Sequence, residues 1–177
     1  MLIKAETSSL LIVDVQEKLA PAMSHIDRVV KNASILMQAA TRFSIPQLVS
    51  EQYPEGLGAT VEALAGGDPV AKMSFSCMGD EGYVSRFQAL DRPQAVIVGI
   101  EAHVCVLQTA MDLMGWGKVQ VFVVADATSS RSPDNHAMAM HRLRGAGAQI
   151  VTTEMVLFEW LGQAGTSEFK DLRKYIK

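Results

Sequence analysis

The sequence predicts an α/β fold built on a mostly parallel sheet of about six strands, and three observations lead there. Short runs rich in β-branched residues recur along the chain, several are apolar on both faces, and helical apolar stripes separate them. Strands covered on both sides and joined by helices close through right-handed crossovers into a three-layer, Rossmann-like architecture.

The first run, Leu10 to Val15, is interrupted only by Asp14. Val29, Val30, Ala33, Leu36, Met37 and Ala40 then recur at spacings of three and four, which predicts a helix with one buried face. Gln47 to Ser50 forms the second strand. From Glu51 to Gly67 the prolines and glycines mark an irregular connection, suited to a lid or a partner contact. The third run, Pro69 to Met73, contains Lys72, and the fourth is Ala95 to Gly99. The chain is expected to turn through Gly99 before helical periodicity resumes at Val104, Leu107, Ala110, Met111 and Met114, which sets Cys105 near a helix N-terminus. After the fifth run, Val119 to Val124, Ser132 reads as an N-cap with Pro133 at the first helical position, and Gly145 or Gly147 closes that helix. Gln149 to Thr152 is the sixth strand.

The chain has 177 residues, 49% hydrophobic and 20% charged, which suits one domain spanning residues 1–177 with a core that needs no disulfide or structural metal. Its two cysteines are too few for a disulfide framework. A net charge of −3 with scattered lysines and arginines argues against nucleic acid. No apolar stretch approaches the ~20 residues that cross a bilayer, and the start lacks a signal-peptide pattern, so a cytoplasmic protein without a membrane partner is expected.

In open parallel sheets, chemistry gathers at the carboxyl ends of strands, and three residues stand there. Asp14 ends an apolar run, a position costly for a carboxylate unless it is used or paired; its bland alternative is a loop cap. Lys72 either snorkels to water or meets a buried carboxylate. Cys105, at a helix start, is where backbone N–H groups and the helix dipole favour thiolate. Cys77 reads instead as a small buried hydrophobe. Together Asp14, Lys72 and Cys105 supply a base, a cation and a nucleophile.

The segments LLIVDVQEKL, VAKMSFSC, VIVGIEAHVCVLQTAMDL and VFVVADATSSR, in this order and spacing, closely resemble the isochorismatase-like cysteine hydrolases, in particular the short isochorismatase domain-containing branch. The resemblance covers nearly the whole chain. It implies that Asp14, Lys72 and Cys105 form a catalytic triad, that a cis peptide joins Ile100 to Glu101, and that the backbone N–H groups of Glu101 and Cys105 hold an oxyanion. Cys105 argues against a true isochorismatase, and SEQYPEGLG lacks the histidine of the nicotinamidase metal site, so neither metal nor other cofactor is expected.

The implied activity is hydrolysis of a small amide, ureido or related C–N substrate through a thioester. The alternative is an oligomeric binding or regulatory protein with a vestigial pocket. Gln16, Tyr53, Phe75 and His103 are the candidate pocket residues, with His103 directed away from Cys105 because two positions on one turn diverge. Asp126 and Arg131 read as a structural turn and a surface pair. A homo-oligomer is expected, with Trp116 and Trp160 as candidate contacts.

Overall fold

The computed structural model describes residues 1–175. The six expected strands all form: β1 (Ser8–Val13), β2 (Gln47–Gln52), β3 (Val70–Lys72), β4 (Gln94–Ile100), β5 (Gln120–Ser129) and β6 (Gln149–Val151). They make one sheet in the order β3-β2-β1-β4-β5-β6, every named pairing parallel. The chain therefore starts in the middle, builds to one edge, then crosses over β1 and builds to the other. Connections leaving β1 and β4 diverge, and the crevice between them is the switch point where such folds place ligands.

Side-chain alternation divides the core between the two sheet faces. Leu10, Ile12, Val96, Val98, Phe122 and Val124 pack toward α1 (Ile26–Arg42) and α6 (Thr153–Leu161). Leu11, Val13, Ala95, Ile97, Val121 and Val123 pack toward α3 (Glu81–Leu90), α4 (Leu107–Gly115) and α5 (Pro133–Ala146). Two shorter helices, α2 (Pro54–Leu57) and α7 (Ser167–Leu172), complete the set. In α1 the predicted stripe is buried at Val29, Ala33, Leu36 and Ala40, with Val30 and Met37 along its margin.

Several boundaries differ from expectation. β1 stops at Val13, because Asp14 takes a left-handed backbone with φ 52°. β4 does not turn at Gly99 but runs through it to Ile100. Gly99 has φ 122°, and a Cβ there would lie 2.1 Å from the Val13 carbonyl oxygen, so only glycine allows β4 to approach β1 this closely. The register between β4 and β5 shifts at the same place, and β5 continues to Ser129.

Ser132 occupies the N-cap place of α5 with Pro133 behind it, yet its side chain makes no cap bond; Gly147, at φ 108°, closes the helix. The Glu51 to Gly67 connection is more ordered than its composition predicts. Its first residues belong to β2, and Thr60 donates both its N–H and its hydroxyl to Glu51 Oε1 at 2.7 Å. Trp160 is buried, its indole N–H donating to Ser8 Oγ at 3.1 Å, which removes it as an oligomer contact; Trp116 stays partly exposed, edge-on to Phe87.

Candidate active site

Asp14 sits just past β1, at the switch point. Its left-handed backbone is held by its own N–H to Ser50 O (3.2 Å) and by Gln16 N–H to its carbonyl (2.9 Å). Aspartate tolerates this conformation better than most residues. The side chain is fully buried and engaged at both oxygens: Ser50 donates its hydroxyl to Oδ1 at 2.7 Å, and Lys72 Nζ donates to Oδ2 at 2.7 Å.

Lys72, at the end of β3, does not snorkel. Besides Asp14, its ammonium meets Gln52 Oε1 at 2.8 Å and the carbonyls of Ser74 and Phe75 at 3.1 Å each. An ammonium has three hydrogens, so four acceptors leave none to spare. Lys72 therefore acts on its surroundings as a fixed charge rather than as a free donor.

Behind Lys72 stands a pair of glutamines. Gln16 continues the β1–β2 ladder with its side chain, accepting from Gln52 N–H at 2.8 Å and donating to Gln52 O at 3.0 Å and to Gly58 O at 2.7 Å. Gln52 in turn donates Nε2 to Met73 O at 2.9 Å. The amide of Gln16 is consumed in this frame, which ties the loop after β2 to the strand ends. Tyr53 donates its N–H to Lys72 O at 2.9 Å while its ring, like that of Phe75, stays exposed at this rim.

Cys105 arrives from β4. The Ile100–Glu101 peptide is cis, as the resemblance implied, and Ala102–Val106 forms a π-helical segment before α4, with Val106 N–H reaching back five residues to Glu101 O at 3.2 Å. Such single π turns recur at functional sites. Cys105 is 5% exposed.

The expectation that a helix start favours the thiolate is overturned. Burial pushes the Cys105 proton affinity well above the usual thiol range, repulsion from the Asp14 carboxylate and a loose hydrogen-bonding contact with it add to this, and only Lys72 opposes. The resting form of Cys105 is the thiol, beside Asp14.

Cys77 is not merely a packing group. It is fully buried, its N–H donates to Thr109 Oγ1 at 2.9 Å, and its thiol donates to Ser50 Oγ at 3.4 Å. Burial, with Asp14 nearby, pushes it up to about 11. The Tyr83 hydroxyl, wholly buried, has this thiol as its polar neighbour. Ser50 and Gln52 escaped the sequence reading, although both lie at the carboxyl end of a strand, where the same rule that selected Asp14 and Lys72 applies.

On the far side of Cys105, the Glu101 carboxylate accepts from Arg131 N–H at 3.2 Å and Arg131 Nε at 3.1 Å. His103 turns toward Ser130 Oγ, 2.9 Å from Nδ1, and toward Asn135 Nδ2, 3.5 Å from Nε2. Asp126 is structural: it caps α6 by accepting from Thr153 N–H and hydroxyl at 2.8 and 2.9 Å. A cavity of about 740 Å³ lies beside α1 and α3, lined by Met37, Leu48 and Arg86 among others, and Asp14, Lys72 and Cys105 do not contribute to it. Among the described residues, no helix is long and apolar enough to cross a membrane, and no cluster of three or more His, Cys, Asp or Glu has the arrangement to hold a metal ion.

With this geometry in place, comparison with known proteins is informative. A model of the isochorismatase domain matches residues 8–155. The chain belongs to the isochorismatase domain family. Isochorismatase domain-containing protein 2 of Danio rerio is 43% identical over 172 residues, covering 96% of this chain and 86% of that protein. The solved structure of the MAR1 ribonuclease of Caenorhabditis elegans is 36% identical, with a TM-score of 0.91 over 99% of this chain and 92% of that one. The YcaC gene product of Escherichia coli, described as an octameric hydrolase of unknown specificity, superposes with a TM-score of 0.92 over 99% of this chain and 90% of that one, but at 23% identity it shows the fold alone. The fold is thus that of a hydrolase family.

Proposed function

We propose that this chain, as one catalytic unit over residues 1–177, is a cysteine-nucleophile hydrolase acting on a small amide, ureido or related C–N substrate through a thioester. The observation that carries the reading is one carboxylate, Asp14, charge-paired to Lys72 at 2.7 Å and acting directly on the proton affinity of Cys105. Because that thiol holds its proton tightly, sulfur attacks the carbonyl carbon as Asp14 takes the proton. With Asp14 neutralised, nothing repels the charge that builds on sulfur during the attack, and Lys72 balances it until it passes to the carbonyl oxygen.

The backbone N–H groups of Glu101 and Cys105 receive the oxyanion. As the C–N bond breaks, Asp14 returns the proton to the leaving nitrogen. Water then attacks the thioester, Asp14 takes its proton, and cleavage of the C–S bond restores the thiol. Lys72, saturated by its four acceptors, contributes charge and not a bond to substrate. Tyr53, Phe75 and His103 border the entrance, and Gln16 supports the frame behind it. We read the chain as a cytoplasmic homo-oligomer without a nucleic acid or membrane partner, and the octamer described for the Escherichia coli protein of the same fold supports self-association.

The name of the Caenorhabditis elegans relative brings RNA into the test. Against it stand the net charge of −3 and the engagement of both nearby cations, Lys72 by Asp14 and Arg131 by Glu101. Primary amides, N-carbamoyl compounds, ureido acids and RNA should be assayed in parallel, with iodoacetamide labelling located by mass spectrometry. The expected result is turnover of a C–N substrate that Cys105→Ala abolishes, and label on Cys105. Full turnover by Cys105→Ala, or cleavage of RNA and of none of the C–N compounds, overturns the reading.

A further inference from the structure

We infer that Ser50 is a positioning residue for Asp14, itself oriented by the thiol of Cys77; this deepens the proposed function and rests on it. The Ser50 hydroxyl has one proton, and it points at Asp14 Oδ1 over 2.7 Å. Its lone pairs face the Cys77 thiol, which donates to it over 3.4 Å. Cys77 keeps its proton across the whole neutral range, since burial lifts it to about 11. It is therefore a permanent donor, and the hydroxyl is left one direction in which to donate.

The result is a one-way chain of donors, Cys77 S–H to Ser50 O–H to Asp14. Thr109 of α4 anchors its far end by accepting Cys77 N–H at 2.9 Å. Asp14 is thus held at both oxygens, Oδ1 by Ser50 and Oδ2 by Lys72, and its plane cannot turn. The titratable and charged groups around the carboxylate are Lys72 from β3, Cys77 from the turn after β3 and Cys105 from the π turn after β4, with Tyr83 of α3 one step behind Cys77. Ser50, from β2, is the uncharged member.

A hydrogen bond to a charged acceptor stabilises the ionised carboxylate over the neutral acid and is strengthened when its donor is itself polarised by a second donor. Ser50 therefore sets how strongly Asp14 draws the Cys105 proton. The rate at which iodoacetamide alkylates Cys105 reads this without knowledge of the substrate: measured against pH, with the label located by mass spectrometry, it is expected to show an acidic limb and a neutral plateau governed by the Asp14–Cys105 pair.

Ser50→Ala is expected to move the midpoint of that limb up by about one pH unit and to raise the plateau about tenfold, leaving the rates at the lowest pH unchanged, as loss of one charge-assisted bond requires. Ser50→Thr, which keeps the hydroxyl, should restore the wild-type midpoint. Cys77→Ala should move it the same way by less. A purely structural role would shift the melting temperature and leave the midpoint in place, which overturns the inference. If Ser50→Ala does not fold, Cys77→Ala decides, and an unmoved limb there overturns it equally. Asp14→Asn separates the two levels: if it leaves the limb intact, Asp14 is not the base and the catalytic reading fails; if it abolishes the limb while Ser50→Ala does not move it, the Ser50 inference alone fails.

Discussion

Lys72 and Asp14 approach to 2.7 Å with neither side chain exposed, whereas Arg86 and Asp68 approach to 2.6 Å with 46% and 83% of theirs in solvent. Arg131 and Glu101 stand between, at 3.1 Å with 64% and 9% exposed. Distance does not distinguish these pairs; the company each charge keeps does. Arg86 gains little beyond what water offers and is screened by salt. Lys72 has surrendered its hydration and replaced it with two side-chain and two backbone acceptors. A fold that goes to this length for a charge inside its sheet edge is maintaining something other than stability, because apolar residues of similar volume are often as stable or more so.

That contrast can be broken or sharpened in four ways. The largest effect is expected from Lys72→Met, which strands the Asp14 carboxylate in the interior and should cost about 3–5 kcal/mol in urea denaturation. Adding Asp14→Leu should recover most of the loss while catalysis stays absent, separating stability from function. A single-mutant cost below ~1 kcal/mol would dissolve the distinction between the buried and exposed pairs.

Arg131→Ala should cost about 1 kcal/mol, since Glu101 keeps the backbone N–H of residue 131 but loses the guanidinium. The loss should shrink in high salt, unlike that of Lys72→Met. Half-buried His136 provides a test by pH. Burial, and to a lesser degree the positive charge of Arg28, lower its proton affinity from the ordinary value of 6.5, against the pull of the Ala125 carbonyl. A histidine held neutral in the fold contributes stability that is present above 6.5 and is lost as pH falls from there through the depressed value. Thermal melts between about pH 7 and pH 5 should therefore flatten in His136→Gln. The smallest effect belongs to Arg86→Ala, within ~0.5 kcal/mol and vanishing in salt.

The legible parts of the molecule were those that repeat. Six apolar runs and the stripe of α1 follow from periods of two and 3.6, which local sequence displays directly. Asp14 and Lys72 stood out because each is an ionisable group within or at the end of such a run, and Cys105 because it falls where helical periodicity resumes after the fourth run. Ser50 and Gln52 did not, because serine and glutamine at a strand end are unremarkable until a carboxylate and an ammonium arrive from other strands to meet them. Cys77 packs in the core as its apolar segment suggests, but its donation to Ser50 exists only once β2 and the turn after β3 are side by side.

Sequence alone determined the class of fold and the alternation of strands and helices, and it marked Asp14 and Lys72 as ionisable groups with no quiet place in an apolar run. Tertiary structure decided the rest. It carried β4 through Gly99 against β1, placed the π turn that delivers Cys105, and turned the thiol into a tight holder of its proton rather than a ready thiolate. The physical reason is one of range. Periodicity and backbone preference act between near neighbours in the chain, while desolvation, charge and hydrogen-bond direction at Asp14 are set by residues 36 and 58 positions away that only the folded sheet brings within 3 Å.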